Sequence, residues 1–180
     1  RQGAGRLSPM CGIAGELTID RPLPDAVEAM VASIRHRGPD DSGVWSDPEA
    51  GITLGHARLA ILDLSPTGHQ PMNSSDGRYW ITLNGEVYNY RALRRELEDA
   101  GLRLRGKSDT EVALECISRR GLADAVRSFN GMFAFALWDR RERLLHLVRD
   151  RLGEKPLYYG WMGRTFLFGS ELKALRAHPA

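Results

Sequence analysis

Apolar side chains recur along this chain with two different periods, and the switches between them lay out its elements. Val27, Met30, Val31 and Ile34 fall at i, i+3, i+4 and i+7, one stripe on a helix that Pro24 and Asp25 are suited to open. A second helix is expected over residues 90–100, with Asn89 as its N-cap and Gly101 as its stop, and a third from Ser108 to near Gly121. Ser108-Asp109-Thr110-Glu111 has the Ser-x-x-Glu form of a capping box. Elsewhere apolar, β-branched and aromatic residues gather in short runs bounded by Gly, Pro and Asn. These runs predict strands over 10–19, 42–45, 52–62, 79–83, 132–138, 144–149, 157–159 and 165–168. Pro66-Thr67-Gly68 marks a turn, residues 139–143 form a charged one, and a short helix is expected over 172–177. Residues 1–9 carry Gly, Ser, Pro and Arg without apolar periodicity and read as a solvated leader.

Strands at both ends, helices grouped between them and hairpin-like connections predict an α+β fold with antiparallel sheet rather than alternating βαβ units. Several strands are apolar on both faces, so each sheet should be covered on both sides. Two sheets stacked between helix layers satisfy that requirement. With 42% hydrophobic residues, 180 residues suffice for one globular domain.

Charge excludes more than it suggests. Against 25 basic side chains stand 23 acidic ones, so there is no electrostatic reason to expect nucleic acid or a membrane surface as partner. No apolar run approaches the ~20 residues of a membrane helix, and the first residues lack the apolar stretch of a signal peptide. Cys11 and Cys116 make neither a disulfide framework nor a metal-binding pair, and a reducing cytoplasm is the expected setting. His36, His56, His69, His146 and His178 fall in no metal-ligand spacing and are read as structural, as is Cys116 beside Val112, Ala113 and Ile117.

Four places carry candidate chemistry. Cys11 follows Met10 and is flanked by the small residues Gly12, Ala14 and Gly15. Removal of an initiator Met there would leave Cys11 at a free N-terminus. An α-amino group titrates near 8 against about 10.4 for Lys, so it can deprotonate a neighbouring thiol without a His. Asn84-Gly85 ends the apolar run 79–83; the pair reads equally as a hairpin turn and as a side-chain amide and backbone N–H aimed at one oxyanion. Arg58, inside an apolar strand, is either a solvated side chain or a fork for a carboxylate. Asp109 complements a helix dipole or holds an ammonium. Arg35-His36-Arg37-Gly38-Pro39-Asp40 is largely explained as a basic helix end with a Gly-Pro stop.

Taken in order, these segments resemble the class II glutamine amidotransferases, and most closely the N-terminal domain of glutamine-hydrolysing asparagine synthetases. The resemblance runs from Met10 to the C-terminus. It is carried by Met10-Cys11-Gly12-Ile13-Ala14-Gly15, Arg37-Gly38-Pro39-Asp40, His56-Ala57-Arg58-Leu59-Ala60-Ile61-Leu62-Asp63 and Gln70-Pro71. It continues through Leu83-Asn84-Gly85-Glu86-Val87-Tyr88-Asn89, Ser108-Asp109-Thr110-Glu111, Gly131-Met132-Phe133-Ala134-Phe135-Ala136, Arg149-Asp150-Arg151-Leu152-Gly153-Glu154-Lys155-Pro156-Leu157-Tyr158-Tyr159 and Ser170-Glu171-Leu172-Lys173-Ala174-Leu175.

That resemblance implies a four-layer αββα Ntn-hydrolase fold in which Cys11 attacks the side-chain amide of glutamine, with its own α-amine as base. It implies further that Asn84 and the Gly85 N–H stabilise the oxyanion and that Arg58 binds the substrate carboxylate. Asp109 and Glu86 would lie near its ammonium, and backbone groups of Leu59, Ala60, Ile61 and Leu62 would complete the wall. No cofactor is expected in this domain; ATP and Mg would belong to a C-terminal synthetase domain, joined to it or supplied as a separate chain, that receives the ammonia and forms asparagine. A homodimer is also compatible. No Ser-Gly-Gly-x-Asp-Ser loop for ATP is present, and nine residues precede Met10, which must be removed for Cys11 to have its amine. An exopolysaccharide or peptide amidotransferase of the same type, or a catalytically silent domain with Cys11 blocked, are the alternatives.

Overall fold

A computed structural model describes residues 10–60 and 66–180. The chain runs β1 (Gly12–Thr18), α1 (Pro24–Ser33), β2 (Asp41–Asp47), β3 (Ile52–Arg58), β4 (Met72–Asn73), β5 (Tyr79–Val87), α2 (Tyr90–Asp99), α3 (Asp109–Arg120) and α4 (Leu122–Ser128). It returns to sheet with β6 (Gly131–Asp139), β7 (Leu144–Arg149), β8 (Tyr158–Met162) and β9 (Thr165–Gly169), and ends on α5 (Leu172–Arg176). One sheet has the order β2-β3-β1-β9-β8 and the other β4-β5-β6-β7, with every pairing antiparallel.

Period-2 alternation explains why there are three apolar layers. In β5, Ile81 and Leu83 pack under α2, α3 and α4 with Leu93, Leu97, Val112, Cys116 and Ile117. Trp80, on the opposite face, joins Ile52, Leu54, Trp138 and Phe168 between the sheets, where it stacks on Trp45 at 4.2 Å. On the far side, Val27, Met30, Val31 and Ile34 of the predicted helical stripe cover the larger sheet together with α5 residue Ala174. Helix, sheet, sheet, helix is the αββα order the resemblance implied.

The chain departs from the sequence-based layout at six points. β5 continues through Asn84-Gly85 to Val87, which pairs with Gly131, so this dipeptide is neither a turn nor the end of the strand. Ser108 caps α3 but accepts from Thr110 N at 3.1 Å, and Glu111 reaches back to the Arg105 and Gly106 amides, so the reciprocal capping box does not form. Asn89 stands at the start of α2 with its side chain bonded to Ser128 O and Asn130 N instead of the helix. Helix α4 and the two-residue β4 were not anticipated, and strand β3 stops at Arg58, whereas the expected one ran on to residue 62.

Candidate active site

Cys11 lies just ahead of β1, the central strand of the larger sheet, where Gly12 pairs with Ala57. A Cβ at position 12 would lie 2.7 Å from Ile34 Cδ1, so glycine lets the end of α1 close over the strand and deliver Arg37. Arg37 is buried; its Nε donates to Cys11 O at 3.0 Å and its Nη1 to Glu171 Oε1 at 3.0 Å. On the other side Ile13 N donates to Ser170 Oγ at 3.0 Å. The backbone around Cys11 is therefore held from α1 and from the β9–α5 junction at once.

The thiol itself rests against Leu59. Leu59 N–H donates to Sγ at 3.3 Å, and the thiol can return a hydrogen bond to Leu59 O at 3.6 Å. Burial pushes the Cys11 thiol above its ordinary 9.0, and the charge of Asp109 adds to the rise. The Leu59 N–H, Arg58 and Lys155 act against it. In this environment the sulfur is a poor thiolate without a base.

Cys11 opens on a pocket lined by Arg58, Leu59, Ala60, Gly68, Gln70, Leu83, Gly85, Glu86, Ser108, Asp109 and Thr110. Its lining carries opposite charges. Arg58, the last residue of β3, is buried with Nη1 3.7 Å from Asp41 Oδ2. Asp109, the first residue of α3, accepts from Val87 N at 2.8 Å. Burial pushes the Asp109 carboxyl up to about 6; Glu86 adds to that, and the Val87 and Thr110 amides oppose it.

The β5 edge supplies the remaining wall. Leu83 N is taken by Gln70 Oε1 at 2.7 Å, and Val87 N by Asp109. Amides two residues apart project from the same edge of a strand, so the Gly85 N–H between them faces the pocket that Gly85 lines. Gly85 has φ 141°, and a Cβ there would sit 2.1 Å from Met132 O; no other residue fits. The Asn84 side chain stands perpendicular to that edge, on the face between the sheets where Thr82 Oγ1 donates to Gly55 O. It is fully buried, and among the described residues neither its Nδ2 nor its Oδ1 has a partner. An unsatisfied buried amide costs about 1–3 kcal/mol, which a ligand oxygen would offset. His56 is also buried, with its Nε2 3.0 Å from Leu83 O; burial pushes its pKa down to about 4, so it backs the β5 edge as a neutral imidazole.

The sequence therefore named most of the residues that meet here: Cys11, Arg58, Leu59, Ala60, Gly85, Glu86 and Asp109 line one pocket, whereas Asn84, between the lining residues Leu83 and Gly85 in β5, is not in its lining. Ile61 and Leu62 lie outside the described residues. Gln70, Ser108 and Thr110 line the pocket without having been assigned a role, and the hold of Arg37 on Cys11 was hidden behind its ordinary position at a helix end.

Over residues 10–180 the sequence matches the family described as a glutamine amidotransferase domain. The chain belongs to that family. Among curated relatives it is 43% identical to asparagine synthetase [glutamine-hydrolyzing] 3 of Bacillus subtilis, over 94% of this chain and 28% of that protein. It is 41% identical to a putative asparagine synthetase 2 of Methanocaldococcus jannaschii, over 93% of this chain and 35% of the other. The amidotransferase domain thus spans roughly a third or less of these relatives' length. Its fold matches a solved glutamine phosphoribosylpyrophosphate amidotransferase of B. subtilis with TM-score 0.80 at 22% identity, covering 93% of this chain and 43% of that one. Among the described residues no helix is long and apolar enough to cross a membrane, and no group of His, Cys, Asp and Glu could hold a metal ion.

Proposed function

We propose that this amidotransferase domain is the glutaminase part of an asparagine synthetase, with Cys11 as its nucleophile. The observation that carries the reading is the thiol held by Leu59 at the wall of a pocket whose lining includes both a guanidinium, Arg58, and a carboxylate, Asp109. A free amino acid needs one counter-charge on each side of its α-carbon. Arg58 takes the glutamine carboxylate and Asp109, with Glu86, its ammonium, which also draws Asp109 into the ionised form. Backbone groups of Leu59 and Ala60 complete the wall.

Once the residues ahead of Cys11 are removed, its α-amine accepts the thiol proton and Sγ attacks the side-chain amide carbon. The carbonyl oxygen becomes an oxyanion, received by Asn84 Nδ2 and the Gly85 N–H; one such donor is worth about 3–4 kcal/mol in comparable sites. The tetrahedral intermediate collapses, the amine returns its proton to the leaving nitrogen, and ammonia departs. Water, deprotonated by the same amine, then hydrolyses the γ-glutamyl thioester to glutamate and regenerates the thiol. Ammonia passes to an ATP-dependent synthetase domain, which the similarity to asparagine synthetases supports. A free thiol nucleophile suits a reducing compartment such as the cytoplasm.

A chain beginning at Cys11 should release glutamate from glutamine, and Cys11→Ala should abolish that release. A γ-electrophilic glutamine analogue should add one adduct mass, on the Cys11 peptide. An adduct on Cys116 with Cys11 untouched would overturn the assignment.

A further inference from the structure

Lys155 is a buried ammonium with an unusual partner. The residue is 4% exposed, and the one hydrogen bond from Nζ among the described residues goes to the Met10 thioether, at 2.9 Å. A thioether is a weak acceptor and leaves a buried charge poorly satisfied. The position is nevertheless tightly built. Asp150 accepts from the backbone amides of Phe133, Leu152, Glu154 and Lys155 at 2.9–3.2 Å, and Arg149 Nε donates to Lys155 O at 2.6 Å. Those bonds fix the whole turn after β7, so the ammonium is placed beside Met10 by construction.

Met10 is the residue whose departure frees the Cys11 nitrogen. Once it leaves, Nζ loses its sulfur partner, while its charge already bears on the Cys11 thiol. We propose that Lys155 is a positioning residue whose charge keeps the terminal amine of Cys11 unprotonated and favours ionisation of its thiol. The inference rests on the glutaminase reading above. A cation beside an amine opposes that amine's protonation, and a cation near a thiol favours thiolate; both effects extend reactivity toward lower pH. On the Cys11 thiol Arg58 acts with Lys155 and Asp109 opposes them, while Arg37, Asp150 and Glu86 bear on Lys155 itself. Burial, joined by Arg37, lowers the Lys155 pKa from its ordinary 10.5, whereas Cys11, Asp150 and Glu86 raise it. Arg37 is tied to Glu171, which leaves Lys155 as the cation without a carboxylate partner among the described residues on this side of Cys11.

Among the described residues every strand and helix lies within residues 12–176, so a chain beginning at Cys11 keeps them all. In that chain, the rate of Cys11 alkylation by iodoacetamide and kcat/KM for glutamine are measured against pH for wild type, Lys155→Met, Lys155→Gln and Lys155→Arg. Both uncharged variants should shift the acid limb of both profiles upward by about 1 pH unit, and Lys155→Arg should restore most of it. Profiles that superimpose on wild type, or that fall by one factor at every pH, would overturn the proposal. A wild-type chain whose Cys11 alkylates but which hydrolyses no glutamine would instead defeat the glutaminase reading, with the alkylation limbs still deciding the role of Lys155.

Discussion

At the scale of single residues, the site is built from groups that are costly where they stand. Asp109 shows this most clearly. Its carboxyl titrates at about 6 in the folded chain against an ordinary 3.8, so ionisation works against the fold. That cost is absent below pH 4, grows between 4 and 6, and above 6 reaches roughly 3 kcal/mol. Asp109→Asn, which keeps an oxygen for Val87 N, should therefore raise the melting temperature at pH 7.5 and leave it nearly unchanged at pH 4. The same variant should lose glutamine binding, and wild-type KM should climb as pH falls through 6, because a neutral carboxyl no longer pairs with the ammonium. Equal stabilisation at both pH values would contradict this account of Asp109. Asn84 belongs to the same class: a buried amide with neither end satisfied among the described residues carries a cost in stability that a bound oxyanion would offset.

At the scale of elements, what could be foreseen depended on how far local sequence controls the outcome. The stripe Val27, Met30, Val31 and Ile34 is buried as its spacing required, since one helix face decides it. Cys116 lies in the core under β5 for the same reason. Asn84-Gly85 went the other way: the dipeptide favours a hairpin turn, but pairing with β6 as far as Val87↔Gly131 overrides that preference and puts the strained glycine inside a strand. Helix α4 is seven residues long, too short for a clear period, and forms because Ala125 and Val126 find the core beside α3. Convergence of Arg58, Asp109 and Cys11 could not be read from spacing, because it needs β3, α3 and β1 brought to one end of the sandwich; the ordered family motifs supplied it. Between the sheets, Trp138 is 1% exposed and its Nε1 has no partner among the described residues. Its contribution should be packing alone. Trp138→Ala should cost about 3–5 kcal/mol in chemical denaturation, while Trp138→Phe should cost well under half of that. Similar losses for both would mean that the indole N–H has a role that packing does not explain.

At the scale of the whole molecule, the two sheets act as a vice. The larger one presents Cys11 and Arg58, the smaller one presents Gly85 and Glu86, and α3 brings Asp109 to the pocket they share. Buried Arg37 and Lys155 converge on the same few atoms at the start of β1 from opposite parts of the chain. That much construction around one terminus makes sense if the nitrogen of Cys11 takes part in the chemistry. The most direct test compares two preparations of this protein, one beginning at Cys11 and one retaining Met10, for glutamate released per minute and for adduct formation with the glutamine analogue. The account predicts turnover and one adduct on Cys11 for the first, and loss of turnover by orders of magnitude for the second. Equal turnover from both would show that the terminal amine is not the base.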